Sequence, residues 1–154
     1  MWNRLLPRQI DNDYRGPKLA LWVFALLVLV RVIMSVNSIF NGASVASTAD
    51  GIPLDTFTPA GAQTVVSLFA LTAFSRLMIC LLCILVLVRY RAMVPLMFAF
   101  LLLEHLGRRL VLQFLPISRT GTSPGSAINL VLLTVTIVGL ALSLWNAERH
   151  RARE

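Results

Sequence analysis

Apolar positions along the chain fall into four long runs: residues 19–40, 64–88, 92–115 and 127–147. Each is long enough to cross about 30 Å of hydrocarbon at about 1.5 Å per helical residue. Stretches such as Leu26-Leu27-Val28-Leu29-Val30 lack the period-two alternation of a membrane β-strand. A helix satisfies its own backbone groups where lipid offers no partners. The pattern therefore predicts an all-α integral membrane protein, a bundle of four transmembrane helices.

The residues between the runs place the ends. Gly16-Pro17, Thr58-Pro59 and Ser123-Pro124 sit where helices should open, because Pro suits the first helical position behind a capping residue. The second helix is thus expected to begin near Pro59, ahead of its apolar run. Asn41-Gly42 is a stop signal after the first run. The link Arg89-Tyr90-Arg91 is so short that the second and third spans should form an antiparallel hairpin. The transmembrane domain, 19–147, is flanked by an N-terminal segment, 1–18, and a basic tail, 148–154. Trp2, Leu5, Leu6 and Ile10 among arginines fit either a segment lying along the membrane surface or a solvated tail. Ser44-Val45-Ala46 has the form of a cleavage site. The run before it has 22 residues against about 7–15 in signal peptides, so it is expected to remain as a span.

Composition agrees with this reading. The chain has 154 residues, 57% of them hydrophobic and only 14% charged, with a mean hydropathy of +0.77. Soluble domains have about 25% charged residues, and disordered chains are poor in apolar ones, so both classes are excluded. The net charge of +7 is not gathered into a basic soluble face, which argues against a nucleic-acid partner. It is instead distributed by loop. Arg4, Arg8, Arg15, Lys18, Arg89, Arg91, Arg149, Arg151 and Arg153 lie on one side of the expected spans. The other side, 41–63 plus 116–126, has only Arg119. The positive-inside rule then puts both termini in the cytoplasm, and a bacterial inner (plasma) membrane is the expected location. Asp50-Gly51, Pro53 and Asp55 predict turns in the longer external loop, either a solvated connection or a cap over the outer side.

The candidate chemistry lies at membrane depth. The first span carries Arg31, the second Arg76, and the third Glu104, His105, Arg108 and Arg109. A charge at the centre of a membrane helix costs about 2.5–3.5 kcal/mol, so such residues are functional candidates. Arg31, Arg76 and Glu104 each lie 12 residues from the cytoplasmic edge of their run, roughly 18 Å in. They are therefore expected to pair as a buried charge network. Arg108 and Arg109 stand one turn farther out, within snorkelling reach of the outer interface. Helical stripes place Ser35 and Ser38 with Arg31, and Thr72, Cys80 and Cys83 with Arg76. Asn129, Thr136 and Ser143 recur every seven residues on the fourth span. Small and polar stripes of this kind mark helix–helix contacts in membranes.

Two readings of the charges stand side by side. One is a salt-bridged core with outer-interface anchors. The other is a cationic outer pocket for an anionic group, with Arg76, His105, Arg108, Arg109 and Asn129 as the candidate binding residues. A proton relay through Glu104 and His105 is a third, weaker reading. Cys80 and Cys83 have C-x-x-C spacing but apolar flanks and no second pair, which fits small packing residues better than a redox or zinc site. No metal site and no cofactor is expected. No catalytic motif is visible, so an enzyme is the less favoured class. The sequence favours a non-catalytic membrane component that binds a partner protein or anionic lipid through the Arg/Glu network. The alternative is an oligomeric transporter or channel subunit, because a single four-helix copy is too small for paired transport repeats.

Overall fold

The computed structural model describes residues 12, 14, 16–117, 119 and 124–145. The expected basic tail, most of the N-terminal segment and Ser123 lie outside the described residues. All regular elements among these residues are helical. The four long ones are α1 (Lys18–Phe40), α2 (Pro59–Arg89), α3 (Val94–Phe114) and α4 (Pro124–Trp145).

The ends follow local chemistry with small corrections. Pro17 sits at the cap position of α1 rather than inside its first turn. The Thr58 hydroxyl accepts the Gly61 N–H at 3.2 Å, and Pro59 occupies the first helical position of α2. Asn41-Gly42 interrupts α1 without ending helical backbone: a short helix, Gly42–Ser44, and a π turn, Val45–Ala49, continue beyond it. Gly42 is not left-handed. Its lack of a side chain serves a close approach, since a Cβ there would lie 3.3 Å from Val66 Cγ1. The left-handed glycine is Gly51, at φ 68°, in the turn expected at Asp50-Gly51. The connection from 41 to 58 is folded onto the helices rather than merely solvated, because Ala46 and Ile52 are buried. Ala49 O and Asp50 Oδ1 lie so near Gly125 that a Cβ there would come within 2.8 and 2.9 Å of them, which sets this connection against the first turn of α4.

α1 is the hub of the bundle. It packs along α2 and also on α4, while α4 packs on α3. Its buried residues, Ala20, Phe24, Leu27, Val28, Arg31, Ser35 and Ser38, recur at three- and four-residue steps and so form one inward face. α2 and α3 are joined through Tyr90 and a tight turn, Arg91–Met93. Arg76 and Glu104 meet farther along the two helices, so the pair runs antiparallel as expected. The two helices nevertheless touch each other sparingly.

The apolar core lies toward the α2–α3 turn. Phe24 and Phe98 meet edge to face with ring centroids 4.9 Å apart, among Leu27, Val28, Cys80, Cys83, Val86, Val94, Met97, Leu101 and Leu132. Gly139 lets α4 approach Phe98, whose ring carbon would be 2.5 Å from a Cβ at that position. Thr136 and Ser143 are buried on the same helix and donate to the carbonyls of Leu132 and Leu140 at 2.7 and 2.8 Å, so neither hydroxyl is left without an acceptor. Large apolar side chains such as Trp22, Leu26, Leu29 and Ile33 instead face outward.

Three helices, α1, α2 and Pro124–Leu144 of α4, are long and apolar enough to cross a membrane. The exception is α3. It has 21 residues, but any 18-residue stretch within it contains Glu104, Arg108 and Arg109. Its buried residues, Val94, Pro95, Met97, Phe98 and Leu101, all lie in its first half. Beyond residue 105 only Arg108 and Leu112 are even half-buried, and a Cβ at Gly107 would meet nothing within 4 Å. The second half of α3 thus buries little beyond the stripe of Arg108 and Leu112.

Candidate functional site

The charged side chains converge at the middle of α3. Arg31, on the inward face of α1, is 8% exposed. Its Nη1 donates to Glu104 Oε2 at 2.6 Å. The second carboxylate oxygen, Oε1, lies 3.8 Å from Arg76 Nε. One carboxylate on α3 therefore joins guanidiniums from α1 and α2, with the Arg31 contact short and charge-assisted and the Arg76 contact loose.

His105 completes the fixed part of the site. Arg31 Nη2 is in contact with His105 Nδ1. The same guanidinium nitrogen also lies 3.4 Å from His105 Nε2, so the imidazole ring sits against the Arg31 head group. Leu101 O, one turn back on α3, lies 3.2 Å from Nδ1 and accepts from it when that nitrogen carries the hydrogen. Arg31 Nε is buried and has no hydrogen-bond partner among the described residues.

A cavity of about 40 Å³ adjoins this network, lined by Arg31, Arg76, Glu104, His105, Arg108 and Asn129 together with Met34, Ser35, Cys80 and Leu132. All four helices contribute. Its size suits a few water-sized groups. Arg108 is half-buried and has no ion-pair or hydrogen-bond partner among the described residues. Three guanidiniums against one carboxylate leave two positive charges around the cavity. Arg76 and Glu104 keep 29% and 27% of their side chains exposed, so the network is open on the side of these two residues.

Of the sequence candidates, Arg31, Arg76, Glu104, His105, Arg108 and Asn129 are brought together. Arg109 is not. It is exposed and does not line the cavity, because it projects about 100° around the helix from Arg108. Met34 and Leu132 went unnoticed in the sequence, and no signal distinguishes them from other apolar residues. Ser35 and Cys80 share stripes with Arg31 and Arg76, a usable hint. Cys80 and Cys83 are free, buried thiols in the apolar core. No group of three or more His, Cys, Asp or Glu side chains suited to a metal ion occurs among the described residues.

Among the described residues the protein is all-helical, with three apolar helices of membrane-spanning length and a charged cavity lined from all four long helices. Comparison with protein-family models, curated proteins and solved structures finds no match.

Proposed function

We propose that this protein is a four-helix component of a bacterial inner membrane, with both termini in the cytoplasm, that binds an anionic group without catalysing a reaction. The bound group belongs to an anionic lipid or to a partner membrane protein. α3 is the fourth span in this reading. Its charges are tolerated because Glu104 pairs with Arg31 and Arg76 and the longer arginines reach toward the outer interface.

The observation that carries the proposal is the excess of guanidinium over carboxylate around a cavity built by all four helices. Cations at that depth in low dielectric need compensation, and Arg108 is poised to supply charge-assisted donors to an incoming oxyanion. Among the described residues no hydrogen bond joins the Ser35 hydroxyl or Cys80 thiol of the lining to His105 or Glu104, which is why a binding role is preferred to an enzymatic one.

Two measurements test this. Reporter fusions after residues 50, 90, 120 and 154 should place 50 and 120 outside and 90 and 154 inside; an external signal at 90 or 154 overturns the topology. Native mass spectrometry of the purified protein should find retained anionic lipid or a copurifying membrane protein, lost in Arg76→Gln/Arg108→Gln. A bare, stable oligomer whose vesicles leak a particular ion would instead establish the transport reading.

A further inference from the structure

The charge balance and shape of the cavity narrow the ligand further, on the assumption that the anion-binding reading holds. Arg31, Arg76 and Arg108 against Glu104, with His105 counted as neutral, leave a surplus of two charges around the cavity. A monoanion would cancel half of it; a dianion would cancel it all. Arg31 and Glu104 lock one another at 2.6 Å, which fixes the floor. Arg76, held only at 3.8 Å, and Arg108, without a partner among the described residues, remain free to turn toward a ligand. Two planar guanidinium forks and the Asn129 amide suit several oxygens on one centre. The buried Arg31 Nε–H lacks an acceptor among the described residues and offers a further donor.

We infer that the cavity takes a phosphomonoester dianion, gripped by Arg76 and Arg108 and admitted beside the partly exposed side chains of Arg76 and Glu104. The same chemistry is offered by a lipid with a terminal phosphate and by free inorganic phosphate. A phosphomonoester gains its second charge with a pKa near about 6. Binding should therefore strengthen as pH rises through that value, whereas a phosphodiester headgroup keeps one charge throughout.

The test uses the full chain in vesicles of phosphatidylcholine containing either phosphatidic acid, a monoester, or phosphatidylglycerol, a diester. Lipid retained on extraction is read by native mass spectrometry. Inorganic phosphate is titrated separately against the detergent-solubilised protein while its thermal midpoint is followed. The expected result is phosphatidic acid retained at least about tenfold over phosphatidylglycerol at pH above 6, with the preference shrinking below it. Arg108→Gln should abolish the preference, and the exposed Arg109→Gln should keep it. Stabilisation by inorganic phosphate that also displaces the lipid identifies the free ion as ligand; retention that phosphate does not disturb identifies the lipid. Equal, pH-independent retention of both lipids with no response to phosphate overturns the dianion inference but leaves anion binding standing. No retention of either lipid, no phosphate response and no copurifying partner overturns both. Should Arg108→Gln fail to fold, Arg108→Lys is expected to retain lipid but lose the preference. Retention of the full preference in Arg108→Lys would refute the grip by Arg108.

Discussion

Replacing Glu104 by Gln tests the network directly. The change keeps the shape and one oxygen acceptor of the side chain but removes the sole carboxylate of the cavity lining. Three positive charges then face one another across α1, α2 and α3, and the 2.6 Å contact with Arg31 becomes an ordinary charged-to-neutral hydrogen bond. Breaking a well-buried ion pair by removing one partner costs about 3–5 kcal/mol. Arg31 meets that condition at 9% side-chain exposure, but Glu104 keeps 27%, and Gln retains an acceptor. A loss of about 2–3 kcal/mol follows by discounting the buried-pair range. At about 2–4 °C per kcal/mol for a chain of this size, the thermal midpoint in detergent should fall by roughly 4–12 °C. Asp55→Asn, at an exposed loop position, is the control and should change little. A double-mutant cycle isolates the pair: Arg31→Gln/Glu104→Gln should be less destabilised than the sum of its single changes by at least about 1 kcal/mol. Equal midpoints for Glu104→Gln and Asp55→Asn, or an additive cycle, would refute the reasoning and mean that Glu104 is solvated.

Other expectations follow from packing and burial. Gly139→Val drives a Cβ to 2.5 Å from the Phe98 ring and should cost about 1–3 kcal/mol by overpacking; Phe98→Leu in the same chain should recover part of the lost midpoint, and no recovery would mean that α4 shifts for another reason. Cys80 and Cys83 are each 1% exposed, so a maleimide should label neither in the folded protein and both after denaturation in SDS, while native labelling would disprove their burial. Tyr14 lies outside the spans, and burial pushes its phenol up to about 12 from about 10 in an unfolded chain. The raised value belongs to an acid, so its contribution is present below pH 10 and is lost as pH rises from about 10 to about 12. Its hydroxyl is buried with no partner among the described residues, so Tyr14→Phe should match or exceed the parent in stability and flatten the decline measured across that interval.

The four long helices were legible in the chain's local chemistry. Unbroken apolar length, the Pro at helix starts and the turn at Asp50-Gly51 are local features, and local backbone chemistry is what sets element ends. The sequence also singled out Arg31, Arg76 and Glu104 as charges standing equally far into their apolar runs. The stripe of Arg31, Ser35 and Ser38 was legible for the same reason, and all three are buried on the inward face of α1: side-chain direction on a helix follows from position. Other features depended on how separate helices pack. That α1 is the hub, that α2 and α3 touch sparingly despite their short link, and that the connection 41–58 lies against Gly125 are properties of surfaces distant in the chain. Arg108 and Arg109 have the same chemistry and adjacent positions, yet one lines the cavity and the other is exposed. Their 100° separation was legible; which of the two faces the cavity was not. The close approach of Phe98 to Gly139 and the pairing of Glu104 across α1 and α2 hold the first half of α3 in place, and none of these is encoded within any one helix.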